Sequence, residues 1–169
     1  MKRLVVLVCT PVLLLLGLVV AALPAQAVSP HFIRADAQLS GTNLVVSFKE
    51  AGLGTNLLIN YTASANATAT YVCVNHGGGN PSAQNKTTVN GPVSASGTFN
   101  SGKNGSVSAS LTITPPSAGS FSCPSGQSLE LAQVSYTNVS ITDTTNGVTQ
   151  SIPGTFTTGC LLPDVRNAC

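Results

Sequence analysis

The segment S-V-S-A-S-L-T-I, residues 106–113, decides the fold of this chain because polar and apolar side chains alternate along its whole length. The apolar positions are Val107, Ala109, Leu111 and Ile113. Successive side chains of a β-strand point to opposite faces, so one face of this strand is apolar and the other carries hydroxyl groups. An apolar face of this kind has to be covered by a second layer. The segment therefore predicts two sheets packed against each other.

The same alternation recurs along the chain and predicts further apolar strand faces at 44–48, 57–61, 93–99 and 134–141. In the last of these runs the apolar parity changes between Tyr136 and Val139, which predicts a β-bulge near residues 137–138. No stretch of ten residues carries a helical stripe. About seven or eight short strands are typical of an all-β, antiparallel β-sandwich of immunoglobulin-like or Greek-key type. A small β-barrel is the alternative.

Turn residues separate the predicted strands. Asn104-Gly105 lies between run 93–99 and strand 106–113, and Asn146-Gly147 lies between two later runs. Asn-Gly tolerates the positive φ angles of tight hairpin turns, so both dipeptides predict hairpins.

The first 27 residues predict where the protein works. Lys2 and Arg3, an apolar run over 4–23 and the small-x-small sequence A-Q-A at 25–27 are typical of a cleaved secretory signal peptide at 1–27. A transmembrane anchor is the competing interpretation, because the run is nearly long enough to span a bilayer. Pro11 and Gly17 inside the run, and the cleavage site directly after it, favour the signal peptide.

Cleavage would leave a secreted, extracellular chain without a membrane segment. We expect one β-sandwich domain at 28–157 and a C-terminal tail at 158–169. The full sequence has seven basic and five acidic residues, and two of the basic ones, Lys2 and Arg3, leave with the signal peptide. The mature chain is therefore neutral and has no net field to attract nucleic acid or an anionic membrane. Because Ser and Thr are its commonest polar residues, we expect sheet faces wetted by hydroxyl groups.

Four cysteines follow the signal peptide, at Cys73, Cys123, Cys160 and Cys169. An even number in an oxidising location predicts two disulfides, for which three pairings are possible. We favour Cys73–Cys123, which would join a predicted strand to the loop before the 129–141 region, together with Cys160–Cys169. Zinc binding is the alternative, but the CxxC and HxxxH spacings of such sites are missing. We expect neither a metal nor a cofactor.

Some motifs suggest chemistry without completing it. His76-Gly77-Gly78-Gly79 is similar to the oxyanion-hole segment of lipases, yet the chain lacks the GxSxG nucleophile elbow. A flexible loop is therefore expected there. His31 would hold copper only if it were the mature N-terminus, and the cleavage site lies before it.

Segment 143–147 predicts a hairpin turn, because the spacing of a calcium loop is absent. Folding could bring Glu50 near Glu130 as a glycosidase-like pair, although no sequence pattern supports it. Sequons of the N-x-S/T type, which matter only in a glycosylating host, occur at Asn60, Asn66, Asn85, Asn104 and Asn138.

The stretch 71–156 resembles a family of small secreted bacterial proteins that has no established activity. The motifs that carry the likeness are YxCxNxGGxxP at 71–81, GPVSxSGxF at 91–99, SGKNGSVSASLTITPP at 101–116, Cys123-Pro124 and PGTF at 153–156. This resemblance implies a secreted β-domain with a Cys73–Cys123 link. Residues 157–169 look like an extension beyond the family pattern.

The segment NGSVSASLTI at 104–113 is also similar to the neocarzinostatin-type apoproteins, which are secreted immunoglobulin-like sandwiches that carry a small chromophore. Their two short disulfide loops differ from the cysteine spacing here, so no pocket residue is carried over.

Together these observations predict a secreted, non-catalytic β-sandwich that acts by binding or as an envelope or matrix component. The alternatives are a small-ligand carrier on the same fold and a secreted enzyme of unrecognised type. The sequence does not identify a partner, and a small molecule or a cell-surface ligand is the candidate it leaves open. An apolar cavity between the sheets would favour the carrier, whereas a cleft joining two carboxylates, or a histidine and a carboxylate, would favour the enzyme.

Overall fold

A computed structural model describes residues 29–75 and 83–169. Within these residues the chain forms β-strands and no helix. The strands are β1 (His31–Ser40), β2 (Asn43–Ala51), β3 (Leu58–Asn75), β4 (Ala83–Asn100), β5 (Ser106–Ile113), β6 (Gln127–Asp143), β7 (Val148–Ile152) and β8 (Phe156–Thr157).

The strands form two antiparallel sheets. The smaller sheet has the order β1-β2-β5, and the larger has the order β4-β3-β6-β7, with β8 paired to β6. Buried side chains from both sheets belong to one continuous core. The predicted antiparallel β-sandwich is therefore confirmed, and the described strands do not close into the alternative small barrel.

Strand β5 has the two faces that its sequence predicts. It pairs with β2, so that Leu111 lies opposite Val46 and Ile113 lies opposite Leu44. The apolar positions of β5 turn inward, with Leu111 buried, whereas Ser108, Ser110 and Thr112 are exposed.

Small residues line the inner face of β3, the strand that pairs with both β4 and β6. Four of them are buried alanines, at Ala63, Ala65, Ala67 and Ala69. They share the core with the larger side chains of the opposite sheet, among them Leu44, Val46, Leu111 and Ile113. Small side chains on one layer let large ones from the other fill the space between the sheets at normal packing density.

Gly97 on β4 shows how little space remains between the layers. A Cβ atom at this position would lie 2.9 Å from Cδ2 of Leu111 and 3.1 Å from the ring of Phe99. A side chain at this position would therefore have to displace the Leu111 side chain or the Phe99 ring.

Two β-bulges keep the apolar residues of β6 on the core side. The register with β3 shifts between Ser64 and Asn66, and again between Thr70 and Tyr71. Asn138 lies at the first shift with φ of 51°, which confirms the bulge expected from the change of parity. The second bulge, beside Ala132, was not predicted.

The two Asn-Gly turns differ in what they connect. Asn146-Gly147 joins β6 to β7, which pair as the predicted hairpin. The hairpin predicted at Asn104-Gly105 is wrong, because β4 belongs to the larger sheet and β5 to the smaller one. Gly105 has φ of 60° and packs against Gly54 in the other crossing loop. The apolar face predicted at 57–61 also begins later than expected, since Leu57 is exposed and Ile59 is buried.

Both favoured disulfides are present, Cys73–Cys123 and Cys160–Cys169. The first joins β3 to the loop before β6 and closes a loop of 50 residues in sequence separation. In the chain-entropy account a loop of this length contributes about 4 kcal/mol of stability.

The C-terminal segment 158–169 packs on the sandwich. Its amides of Thr158 and Leu161 donate to the carbonyls of Val134 and Ala132. Ala168 forms a second small core with Val72 and Ala132. The short disulfide therefore holds a segment that covers one end of β3 and β6.

We expect Leu111→Ala to lower the free energy of unfolding by about 2–5 kcal/mol, because it removes buried apolar surface and leaves a cavity between the sheets. Thr112→Ala, one residue along on the exposed face, is the matched control and should change stability by less than about 0.5 kcal/mol. Thermal and denaturant unfolding of both variants measures this. A Leu111→Ala variant as stable as wild type, beside a destabilised Thr112→Ala variant, would mean that the two faces are inverted.

Candidate functional site

The largest departure from a purely apolar core is the carboxyl group of Glu50. Glu50 continues the inward positions of β2 after Leu44, Val46 and Phe48, and it is fully buried. Within the described part of the chain neither of its carboxyl oxygens has a hydrogen-bond partner. A buried, unpartnered carboxyl group is costly to ionise, so it marks either a functional site or a site of pH-dependent stability.

Three ionisable groups from other strands act on Glu50: Tyr61 on β3, Asp143 on β6 and His31 on β1. We call these four residues the acidic end. Burial raises the pKa of Glu50 above its ordinary value, and the charge of Asp143 raises it further. The hydroxyl of Tyr61 and the charge of His31 lower this pKa, but the net direction is upward. The Tyr61 hydroxyl lies beside the carboxyl group without the geometry of a formed hydrogen bond.

Asp143 is also fully buried, but its carboxylate is satisfied. It accepts hydrogen bonds from the backbone amides of Thr145 at 2.8 Å and Asn146 at 3.0 Å, and a third from the Asn146 side chain. These contacts fix the β6–β7 hairpin turn. The predicted hairpin at 143–147 is confirmed, and its carboxylate is used to hold the turn.

Two crossing loops close the structure next to Glu50. The buried Ser101 hydroxyl donates to the carbonyl of Gly54 at 2.8 Å and accepts from the amide of Leu57 at 3.0 Å. The amide of Leu53 donates to the carbonyl of Gly105 at 3.0 Å. These bonds tie loop 52–57 to loop 101–105, which helps to keep water from the acidic end.

Glu50 and Glu130 do not form the glycosidase-like carboxylate pair that was considered from the sequence. Glu130 is exposed and pairs with Val72, whereas Tyr61 pairs with Asp143 at the opposite end of the same sheet. Glu50 is therefore near Asp143 and not near Glu130. Neither buried carboxyl group lines either of the two surface grooves described below.

The remaining sequence motifs can be followed only within the described residues. The Nδ1 atom of the exposed His31 ring lies 2.8 Å from the carbonyl oxygen of Ser29. The His76–Gly79 motif lies outside the described residues. Across 29–75 and 83–169, no three His, Cys, Asp or Glu side chains are grouped so that they could hold a metal ion. The sequon asparagines, Asn60, Asn66, Asn85, Asn104 and Asn138, are all exposed.

Beyond the row of Val72, the outer side of the five-stranded sheet carries mostly hydroxyl and amide groups and no charged side chain; we call this part of the sheet the hydroxyl face. Its rows run across paired strands: Ser96, Thr62, Thr142 and Thr149; Ser94, Ser64, Ser140 and Ser151; Asn90, Thr68, Ser135 and Thr157. Several of its hydroxyls bond across strands, such as Thr62 to Ser96 at 2.9 Å and Thr142 to Thr149 at 3.0 Å. The charged residues Lys86 and Glu130 lie only at one end, in the row of Val72.

Two open grooves lie on the described surface. The larger, of about 410 Å³, is at the β6 bulge on the hydroxyl face, where Asn138, Ser140, Thr149 and Ser151 line it. The smaller, of about 320 Å³, is on the outer side of the other sheet and contains the exposed Arg34–Asp36 ion pair at 3.2 Å. Sequence reasoning missed both grooves, although the parity change in β6 did indicate the bulge beside the larger one.

Comparison of the chain with protein-family models, with characterised proteins and with solved structures gives no match. The two disulfides indicate an oxidising environment of the extracellular type. Over the described residues the structure contains no helix that is long and apolar enough to cross a membrane.

We expect Glu50→Gln to stabilise the protein at neutral and alkaline pH. The folded state raises the pKa of Glu50 above its ordinary value of 4.5, so it binds the proton more tightly than the unfolded chain does. The unfolding free energy of the wild type should then be highest below pH 4.5 and fall as the pH rises through the folded-state pKa. Glu50→Gln removes this loss, because glutamine cannot ionise.

The measurement is chemical unfolding of the wild type and both variants between pH 4 and pH 9, with Glu130→Gln as the matched control at an exposed site. The control should follow the wild-type profile. If the unfolding free energy of Glu50→Gln depends on pH in the same way as that of the wild type, then folding does not raise the pKa of Glu50, and the expectation is wrong.

Proposed function

We propose that the protein is a secreted, non-catalytic β-sandwich of immunoglobulin-like type that binds a component of the cell envelope or extracellular matrix. The observation that carries this proposal is the contrast between the two sides of the larger sheet. Its inner side is filled with core residues, and its outer side is a wide, uncharged hydroxyl face. A surface of this kind offers many weak hydrogen bonds, and its rows of hydroxyls contain no acid or base to activate them.

Export is supported by two independent features. The first 27 residues have the charge, apolar run and cleavage sequence of a signal peptide. The mature part contains two disulfides, which persist in oxidising compartments. The resemblance of residues 71–156 to a family of small secreted bacterial proteins agrees with this location and stays a prediction.

The immunoglobulin-like type is supported by strand order. In immunoglobulin sandwiches the first, second and fifth strands share one sheet, and the third, sixth and seventh share the other. The first, second and fifth strands here form the order β1-β2-β5, and the third, sixth and seventh lie together as β3-β6-β7. The fourth strand lies beside the third, as an additional member of the larger sheet.

The two alternatives have less support. A small-ligand carrier like the neocarzinostatin-type apoproteins needs an apolar cavity between its sheets, and here core side chains occupy that space. An enzyme needs its ionisable groups within reach of a substrate, and Glu50 and Asp143 are both fully buried.

The proposal predicts the location and the behaviour of the protein in a bacterial host that expresses the full sequence. N-terminal sequencing of protein from the medium and from washed envelopes should begin at Val28. Purified mature protein added back to washed envelopes should be retained in a saturable way, and it should release no soluble fragments from them.

Denatured, reduced protein is the control for nonspecific adhesion and should show no saturable retention. Intact Met1 on protein confined to the cytosol would contradict export. Envelopes that retain none of the folded mature protein would contradict the binding role.

A further inference from the structure

The groove of about 410 Å³ at the β6 bulge has walls of uncharged polar side chains. The walls carry the hydroxyls of Ser140, Thr149 and Ser151 and the amide of Asn138. Val139 and Ile152, which pair across β6 and β7, also line the groove, while their buried side chains belong to the core on the inner side of the sheet. The groove is open to solvent and lies within the size range of small-molecule sites.

The backbone explains why a groove forms at this place. The bulge at Asn138, with its φ of 51°, adds one residue to β6 and bends the strand beside β7. After Ile152 the chain turns away through Pro153 and Gly154, which line the other side of the groove. The concave shape is therefore built from paired strands, and it does not depend on a side-chain rotamer.

The polar groups of the groove include some that are free to bind a ligand. Within the described part of the chain the side chains of Asn138, Ser140 and Ser151 have no hydrogen-bond partner, whereas Thr149 bonds to Thr142 at 3.0 Å. A serine hydroxyl both donates and accepts, and an asparagine amide does the same through two different atoms. The groove can therefore bind hydroxyl groups in either role.

Charge decides which class of ligand fits. None of the residues that line the groove is ionisable, so a phosphate or carboxylate would find no cation to pair with. An organic cation would likewise find no carboxylate. A molecule with many neutral hydroxyls complements these walls, because its hydroxyls can pair with the serine hydroxyls and the asparagine amide without any charge to neutralise.

We infer that this groove binds a unit of a neutral glycan, and that the adjoining rows of the hydroxyl face contact the rest of the chain. The inference names the ligand class for the proposed binding function and rests on it. The row of Ser94, Ser64, Ser140 and Ser151 runs from the groove across all four main strands of the larger sheet. No aromatic side chain lines the groove for stacking, so a single oligosaccharide should bind weakly, with a dissociation constant on the order of 1 mM.

The test is an NMR titration of the isotope-labelled mature protein, with its disulfides intact, using mannohexaose and maltohexaose as neutral probes. Oligogalacturonate of the same length is the charged comparator. At least one neutral probe should shift the amide signals of residues 138–140 and 149–154 in a saturable way. The charged probe should bind more weakly.

The variant pair Ser140→Ala with Ser151→Ala removes two free hydroxyls, and it should weaken binding of the neutral probe at least fivefold. Ser47→Ala, in the smaller groove, is the matched control and should leave the affinity unchanged. The Ser140→Ala/Ser151→Ala double variant and the Ser47→Ala control should both melt at the wild-type temperature, because the substituted hydroxyls lie outside the core.

Signal changes at other residues, equal or tighter binding of oligogalacturonate, or no response to either neutral probe would overturn the inference. Envelope retention of the Ser140→Ala/Ser151→Ala variant separates the two proposals. Undiminished retention of this variant would refute the groove and leave the proposed function standing. Absence of retention for the wild type as well would refute the proposed function itself.

Discussion

The close packing of the two sheets along β3 is the contact on which the rest of the structure depends. β3 is paired on both sides, to β4 and β6, and its inner face carries four buried alanines. Because these side chains are small, the larger residues of β2 and β5 can fill the space between the sheets. The layers are so close that Gly97 cannot accept a Cβ atom without displacing Leu111 or Phe99.

The local sequence pattern predicts which face of each strand is buried, but it does not predict which strands become neighbours. The alternation in 106–113 predicts the buried face of β5, and the parity change before Val139 predicts the bulge. The sequence does not predict which sheet β5 joins, because an Asn-Gly turn is compatible both with a hairpin and with a crossing between the two sheets. For Glu50, two local signals disagree. Alternation along β2 puts Glu50 on the same inner face as Leu44, Val46 and Phe48, whereas a charged side chain is usually found at the surface. The groove at the bulge escaped prediction because it needs β6, β7 and the turn at 153–154 together.

The acidic end and the hydroxyl face show how polarity is distributed in a domain with few charges. Inside, Asp143 is satisfied by a turn, whereas Glu50 is left without a hydrogen bond, and its raised pKa leads us to expect stability that falls as the pH rises. Outside, rows of Ser, Thr and Asn keep the larger sheet soluble without attracting ions. This neutrality is what favours a binding partner rich in hydroxyl groups over a nucleic acid or a charged surface.

If the space between the sheets is filled, a larger side chain on the inner face of β3 cannot be accommodated without strain. The measurement is the unfolding free energy of Ala67→Leu beside that of Thr68→Leu, its neighbour on the exposed face of the same strand. Ala67→Leu should destabilise the protein by about 1–3 kcal/mol through overpacking, and Thr68→Leu should change stability by less than about 0.5 kcal/mol. An Ala67→Leu variant as stable as wild type, or more stable, would show that the sheets enclose unfilled space and would contradict the account.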